Sequence, residues 1–143
     1  MSRNHARPLS PHLTIWRWGP HMLVSILHRV TGSGLATVGT GLFVWWLAAI
    51  AGGADSYASF VHWVIKAEPG EGGQHVVNIL ARLVGLGLTW AFFQHLANGV
   101  RHLFLDAGAN FELRGNKTSA IATLVFSIVM TVLVWGYILG VKG

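Results

Sequence analysis

The sequence predicts an all-α membrane protein: three transmembrane helices running up-down-up through the bilayer. Three observations carry this expectation. Of 143 residues, 52% are hydrophobic and only 10% charged. A soluble domain carries about 25% charged residues, and one so short of charge would leave a large apolar surface in water. The apolar residues are also gathered into three long runs: residues 30–54, the interval between Arg82 and Arg101, and the interval between Lys117 and Lys142. Each is near or above the roughly 18–20 residues that a helix needs to cross about 30 Å of hydrocarbon. Finally, seven basic residues lie before the first run or between the second and third, against three in the other segments. The length leaves room for one domain, residues 1–143.

The elements follow in order. Residues 1–20 are polar and proline-punctuated, with Trp16 and Trp18 suited to the lipid headgroup region. The first apolar run starts too late for a signal-peptide core, so no cleavable signal is expected. A helix beginning near His21, just after Pro20, continues as span one over about residues 21–50. It carries two interleaved rows of small residues at helical spacing, Gly32, Ala36, Thr40 and Ser33, Thr37, Gly41. Such rows admit the close approach of another helix or of a flat ligand; helix packing is the plainer reading and a porphyrin edge the sharper one. Residues 52–73 form a glycine-rich external loop with a short amphipathic helix around Tyr57 to Ile65. Span two covers about residues 76–105, a short loop follows at 108–117, and span three covers about 118–140, with Gly136 and Gly140. The basic bias puts the N-terminus and the second loop on the cytoplasmic or matrix side and the C-terminus opposite. The net charge of +5 therefore reads as topology, since no basic run is dense enough for nucleic acid.

Cysteine is absent, which excludes disulfides and cysteine-ligated iron–sulfur clusters within the chain. Any electron carrier held here needs histidine or another non-thiolate ligand. His95 is the only ionisable residue between Arg82 and Arg101. Such a group at membrane depth is costly and points to function. An interhelical hydrogen bond is the structural alternative; axial ligation of a buried haem explains a neutral imidazole there better. His95, Asn98, Gly99, His102 and Asp106 form one helical stripe. His95 and His102 are two turns apart, about 10 Å along the axis, and point the same way, so they cannot ligate opposite faces of one iron. If a haem here has two histidine ligands, the second must come from another chain. His102 and Asp106 are placed for a polar pair or for haem propionates, or are simply a solvated helix end.

Ser25, His28 and Arg29 give a polar face at the start of span one. By the topology above, His28, Arg29, Arg101 and His102 converge in one leaflet. Such a cluster suits acidic haem propionates, and a hydroxyl with a guanidinium suits a quinone carbonyl. The plainer reading is that arginines at helix ends snorkel to headgroups. His5, His12, His21, His62 and His75 sit in polar or interfacial segments and read as surface residues. No zinc spacing, nucleotide loop or nucleophile triad appears.

Three segments, Arg7-Pro-Leu-Ser-Pro-His-Leu13, Ser25-Ile-Leu-His-Arg-Val-Thr-Gly32 and His95-Leu-Ala-Asn-Gly-Val-Arg-His-Leu-Phe-Leu-Asp106, resemble the signatures of the succinate dehydrogenase cytochrome b subunit family. They occur in order, on the expected helices, and cover most of the chain. The resemblance implies that His95 is the axial ligand of haem b, the opposite ligand coming from a small membrane-anchor subunit. It implies that His28 and Arg29 lie near the propionates and quinone, with His102 also at the haem, and that Ser25 and Arg29 line the ubiquinone pocket. The Arg7–Leu13 segment would pack near the iron–sulfur subunit. Succinate oxidation would occur on a flavoprotein subunit, electrons passing through iron–sulfur clusters to the quinone. Trp16 departs from the tyrosine of many relatives, which removes a hydroxyl contact. The setting implied is the bacterial inner membrane or the mitochondrial inner membrane. Two alternatives stay within reach: a haem-free structural anchor, and the corresponding subunit of a fumarate reductase. A transporter or channel subunit fits less well, because only one span shows a mid-membrane polar residue and no inverted repeat appears.

Overall fold

The computed structural model describes residues 15–66 and 70–142, and every regular element among them is helical. Helix α1 spans Pro20–Ala51. It starts where the sequence dictates: Gly19 is extended and Pro20 takes the first helical position, where its missing N–H costs nothing. One turn within it, Leu35–Gly39, is π-helical, and the Thr40 N–H reaches back to the Leu35 carbonyl. Gly53, at φ +85°, turns the chain into α2, Ala54–Val64. This is the short loop helix expected around residue 57, started earlier by Asp55 in its first turn, where a carboxylate suits the positive end of the helix dipole. Helix α3 spans Gly72–Asp106 and α4 spans Leu113–Lys142. The turn between them uses Gly108 and Asn110 in left-handed conformations, at φ +87° and +61°, which glycine and asparagine tolerate best.

Three of these helices, Pro20–Ala51, Gly72–Asp106 and Leu113–Val141, are long and apolar enough to cross a membrane. No more than 11% of any apolar window is buried inside the chain, so lipid or further helices must cover the rest. Helices α3 and α4 pack along their lengths, and the first half of α1 leans on both. Beyond the π turn, the second half of α1 leaves α3 and α4 and packs on α2 instead, where Trp45 meets Phe60 edge-on with ring centroids 5.0 Å apart.

The interior of this bundle is polar. Gln94, Asn98 and Ser127 are completely buried, and Thr31, Asn78, Arg101, Thr123 and Thr131 nearly so. In hydrocarbon this is the expected order, because lipid tails solvate leucine as well as another helix does and polar groups must find partners inside. Ser127 Oγ donates to Gln94 Oε1 at 2.8 Å, while Gln94 Nε2 donates to Thr123 Oγ1 at 3.4 Å, tying α3 to α4. Trp135 Nε1 donates to Thr89 Oγ1 at 3.2 Å further along the same seam. Asn98 Nδ2 donates to the Val24 carbonyl at 3.2 Å and fixes α3 against α1. The expectation that one span alone carries mid-membrane polar groups is therefore incomplete. Gln94 and the α4 hydroxyls had been hidden among apolar neighbours.

Candidate functional site

The start of α1 and the end of α3 lie at the same end of the bundle, and their histidines meet there. The His95 imidazole, half-buried on α3, lies against α1. Its Nδ1 is 3.1 Å from the His28 carbonyl oxygen and 3.4 Å from Thr31 Oγ1. The Thr31 hydroxyl already donates to the Leu27 carbonyl at 2.7 Å, so toward His95 it offers a lone pair. Both neighbours of Nδ1 are thus acceptors, and Nδ1 carries the proton. The other ring nitrogen, Nε2, is left with a free lone pair, the tautomer a metal requires. No side chain among the described residues bonds to Nε2.

Glycine makes this placement possible. A Cβ at Gly32 would lie 2.8 Å from His95 Cε1 and 3.2 Å from Nδ1, well inside van der Waals contact. Gly32, one member of the small-residue rows expected on span one, thus seats the imidazole itself.

His28 stacks on His95 with ring centroids 3.9 Å apart and planes within 6°. His102 lies tilted against His28 at 5.5 Å, and Gly99 leaves room for His28 Cε1 at 3.9 Å from where its Cβ would stand. In the face-to-face stack the two rings lie parallel, so their nitrogens do not point toward a common position between them. His28 Nδ1 is buried without a hydrogen-bond partner in the described structure, an open donor or acceptor at the same place. Ser25 is half-buried and Arg29 exposed on α1, and neither side chain is engaged in a hydrogen bond among the described residues.

One expectation is corrected here. Arg101 does not converge with His28, Arg29 and His102. It turns to α4, where Nε donates to Ser119 Oγ at 3.0 Å, another nitrogen to Asn116 Oδ1, and a third to Asn98 Oδ1 at 3.3 Å. The reason is register: Gln94 and Arg101 face α4, His95 and His102 face α1, and Asn98 lies between, its amide on the Val24 carbonyl of α1 and its oxygen accepting from Arg101. His102 also makes no hydrogen bond with Asp106; its neighbour is His28. Sequence reasoning missed Thr31 and gave Gly32 no specific task. Their spacing from His28, three and four residues on, was the available signal. His62, read as a plain surface residue, is hydrogen-bonded to Glu71, Nε2 to Oε2 at 2.6 Å. The Arg7–Leu13 segment lies outside the described residues. No cluster of three or more metal-ligating side chains occurs among the described residues.

Fold and site together define a multi-pass membrane subunit that offers one oriented histidine from an incomplete helical bundle. Residues 3–134 match the model of the succinate dehydrogenase/fumarate reductase transmembrane subunit family, and the chain belongs to that family. It is 35% identical over 127 residues to the succinate dehydrogenase cytochrome b556 subunit of Paracoccus denitrificans, covering 89% of this chain and 88% of the relative. It is 35% identical over 129 residues to the protein of the same name from Rickettsia typhi, covering 90% of each. With the mitochondrial succinate dehydrogenase cytochrome b560 subunit of Sus scrofa it shares 29% identity over 126 residues, 88% of this chain and 68% of the relative.

Proposed function

We propose that the chain is the large membrane anchor of a succinate:quinone oxidoreductase, holding haem b and forming part of the ubiquinone-reduction site. The observation that supports this most directly is the fixed tautomer of His95, whose Nδ1 is committed to α1 and whose Nε2 is left for iron. The residues fit such a group. The donor is neutral, oriented by a backbone carbonyl, and seated in a space that only glycine leaves open. Haem, when bound, supplies a one-electron carrier inside the membrane. Every other contribution comes from side chains. His28 and His102, beside His95, offer ring nitrogens to the propionates, with Arg29 as a cation at the same end. Ser25 and Arg29, unengaged and one turn apart, orient the quinone: the guanidinium polarises a carbonyl oxygen and the hydroxyl donates or accepts beside it.

His95 would hold the haem from this chain, and a small membrane-anchor subunit would supply the second ligand. The same subunit and the iron–sulfur subunit complete the quinone pocket, and succinate is oxidised on the flavoprotein subunit. The described helices, with most of their apolar surface uncovered, accord with such partners. The chain sits in the bacterial inner membrane or the mitochondrial inner membrane, with the His28 end toward the cytoplasm or matrix, as the basic residues argue. The names of the relatives favour succinate oxidation over fumarate reduction as the physiological direction. The deciding experiment is a reduced-minus-oxidised spectrum of the purified complex carrying His95→Ala. Loss or displacement of the b-type bands is expected; an unchanged bound-haem spectrum overturns the assignment.

A further inference from the structure

The far end of the bundle, where α2 meets α3, holds a second cluster that the proposed function does not use. A cavity of about 270 Å³ is lined there by Lys66, His75, Asn78, Ile79 and Arg82. Arg82 also forms a wall of an adjoining groove of about 550 Å³, whose other walls include Ile65, Gly85, Trp135 and Leu139. One compartment is basic and the next apolar.

Depth in the membrane gives these compartments their meaning. Arg82 and Arg101 bracket the charge-free part of α3, and nineteen residues of helix rise about 28 Å, one hydrocarbon thickness. Arg82 therefore marks one hydrocarbon boundary, with the basic cavity in the headgroup layer and the groove running into the acyl region. The guanidinium is held at that boundary by donating to the Ile65 carbonyl at 3.1 Å. Among the described residues no acidic side chain lines either compartment, and the carboxylate of Glu71 is bonded to His62.

Asn78 adds a chemical constraint. Its Nδ2 donates to the carbonyls of His62 and Trp63, both at 2.9 Å. Two carbonyl partners fix the amide so that Oδ1 is the free end, and Oδ1 is buried without a partner, on a side chain only 3% exposed. An unmet buried acceptor beside the cations Lys66 and Arg82 and the His75 ring asks for a ligand with an anion and a hydrogen-bond donor close together.

We propose that this end of the bundle binds one anionic phospholipid, its phosphate between Lys66, His75 and Arg82, a headgroup donor toward Asn78, and an acyl chain along Gly85 and Trp135. A glycerol headgroup supplies the hydroxyl; a choline headgroup has the phosphate but no donor and no net charge. The site does not depend on haem or quinone.

The test uses the whole complex, delipidated in a neutral detergent and titrated with phosphatidylglycerol, with unfolding temperature as the readout. Phosphatidylglycerol should raise that temperature saturably, and phosphatidylcholine should do so much less. Each charge removed, in Arg82→Gln or Lys66→Gln, should weaken the response about fivefold, while Arg114→Gln at the opposite end should leave it unchanged. Lys66 is exposed, so its variant carries the test if Arg82→Gln fails to assemble. A response in both site variants equal to that of the unsubstituted complex, an equal rise with phosphatidylcholine or inorganic phosphate, or no rise at all because a partner subunit covers the site, overturns the proposal.

Discussion

His28 holds His95 through its backbone and not through its side chain: the acceptor for His95 Nδ1 is the His28 carbonyl oxygen at 3.1 Å, while the two rings merely stack at 3.9 Å. Removing the His28 ring leaves the acceptor in place. His28→Ala should therefore keep haem bound to the complex, at wild-type stoichiometry, while shifting its midpoint potential in an optical redox titration. Loss of haem from this variant would mean that the ring, and not the carbonyl, orients the ligand.

Gly32→Ala tests the seat of the imidazole. The added methyl would stand 2.8 Å from His95 Cε1, so the ring must leave its hydrogen-bonded position. Haem content per complex, measured by pyridine haemochrome, should fall severalfold. Gly136→Ala, where nothing lies within 4 Å of the new atom, should change nothing, and this contrast separates a specific clash from a general intolerance of larger residues.

Ser25→Ala and Arg29→Leu should each lower succinate-dependent ubiquinone reduction about tenfold or more, the loss of a charge-assisted contact being worth roughly 1.5–3 kcal/mol for Arg29. Succinate oxidation with an artificial acceptor in the aqueous phase should persist. Equal loss of both activities counts against a quinone contact.

Ser127→Ala removes one partner of a completely buried amide, Gln94 Oε1. Interhelical hydrogen bonds in membranes average about 0.6 kcal/mol, and an unmet buried acceptor costs about 1–3 kcal/mol. The variant should be less stable by roughly 1 kcal/mol in thermal unfolding of the solubilised complex. Its haem spectrum should be unaltered, because Gln94 faces α4 and His95 faces α1.

The three helices and the short helix before α3 were legible in the sequence, because apolar run length is a strong one-dimensional signal; one ionisable residue in a charge-free stretch singled out His95, which the packed bundle sets against α1. The direction of Arg101 was not. It shares a helix end with His102, and only the rotation of α3 between two neighbours decides that one turns to α1 and the other to Asn116 and Ser119 on α4. Likewise Gly32 belonged to a row of small residues whose chemistry is mute until a ring is found against it. Gln94 escaped notice because it is uncharged; its completeness of burial is a property of the packed bundle alone.

The π turn at Leu35–Gly39 acts as a phase adjuster along α1. An α-helix advances 100° per residue, and a turn closed by an i→i+5 bond takes in one residue more while still making about one revolution. With the turn as it stands, Thr31 and Gly32 face His95 while Trp45 faces Phe60 on α2. Deleting one residue between 35 and 39 would return the helix to regular winding with the two ends still nearly in phase. Adding a residue to a regular turn elsewhere in α1 would swing the two ends apart by about 100°, and either the seat of the imidazole or the aromatic contact with α2 would have to turn away.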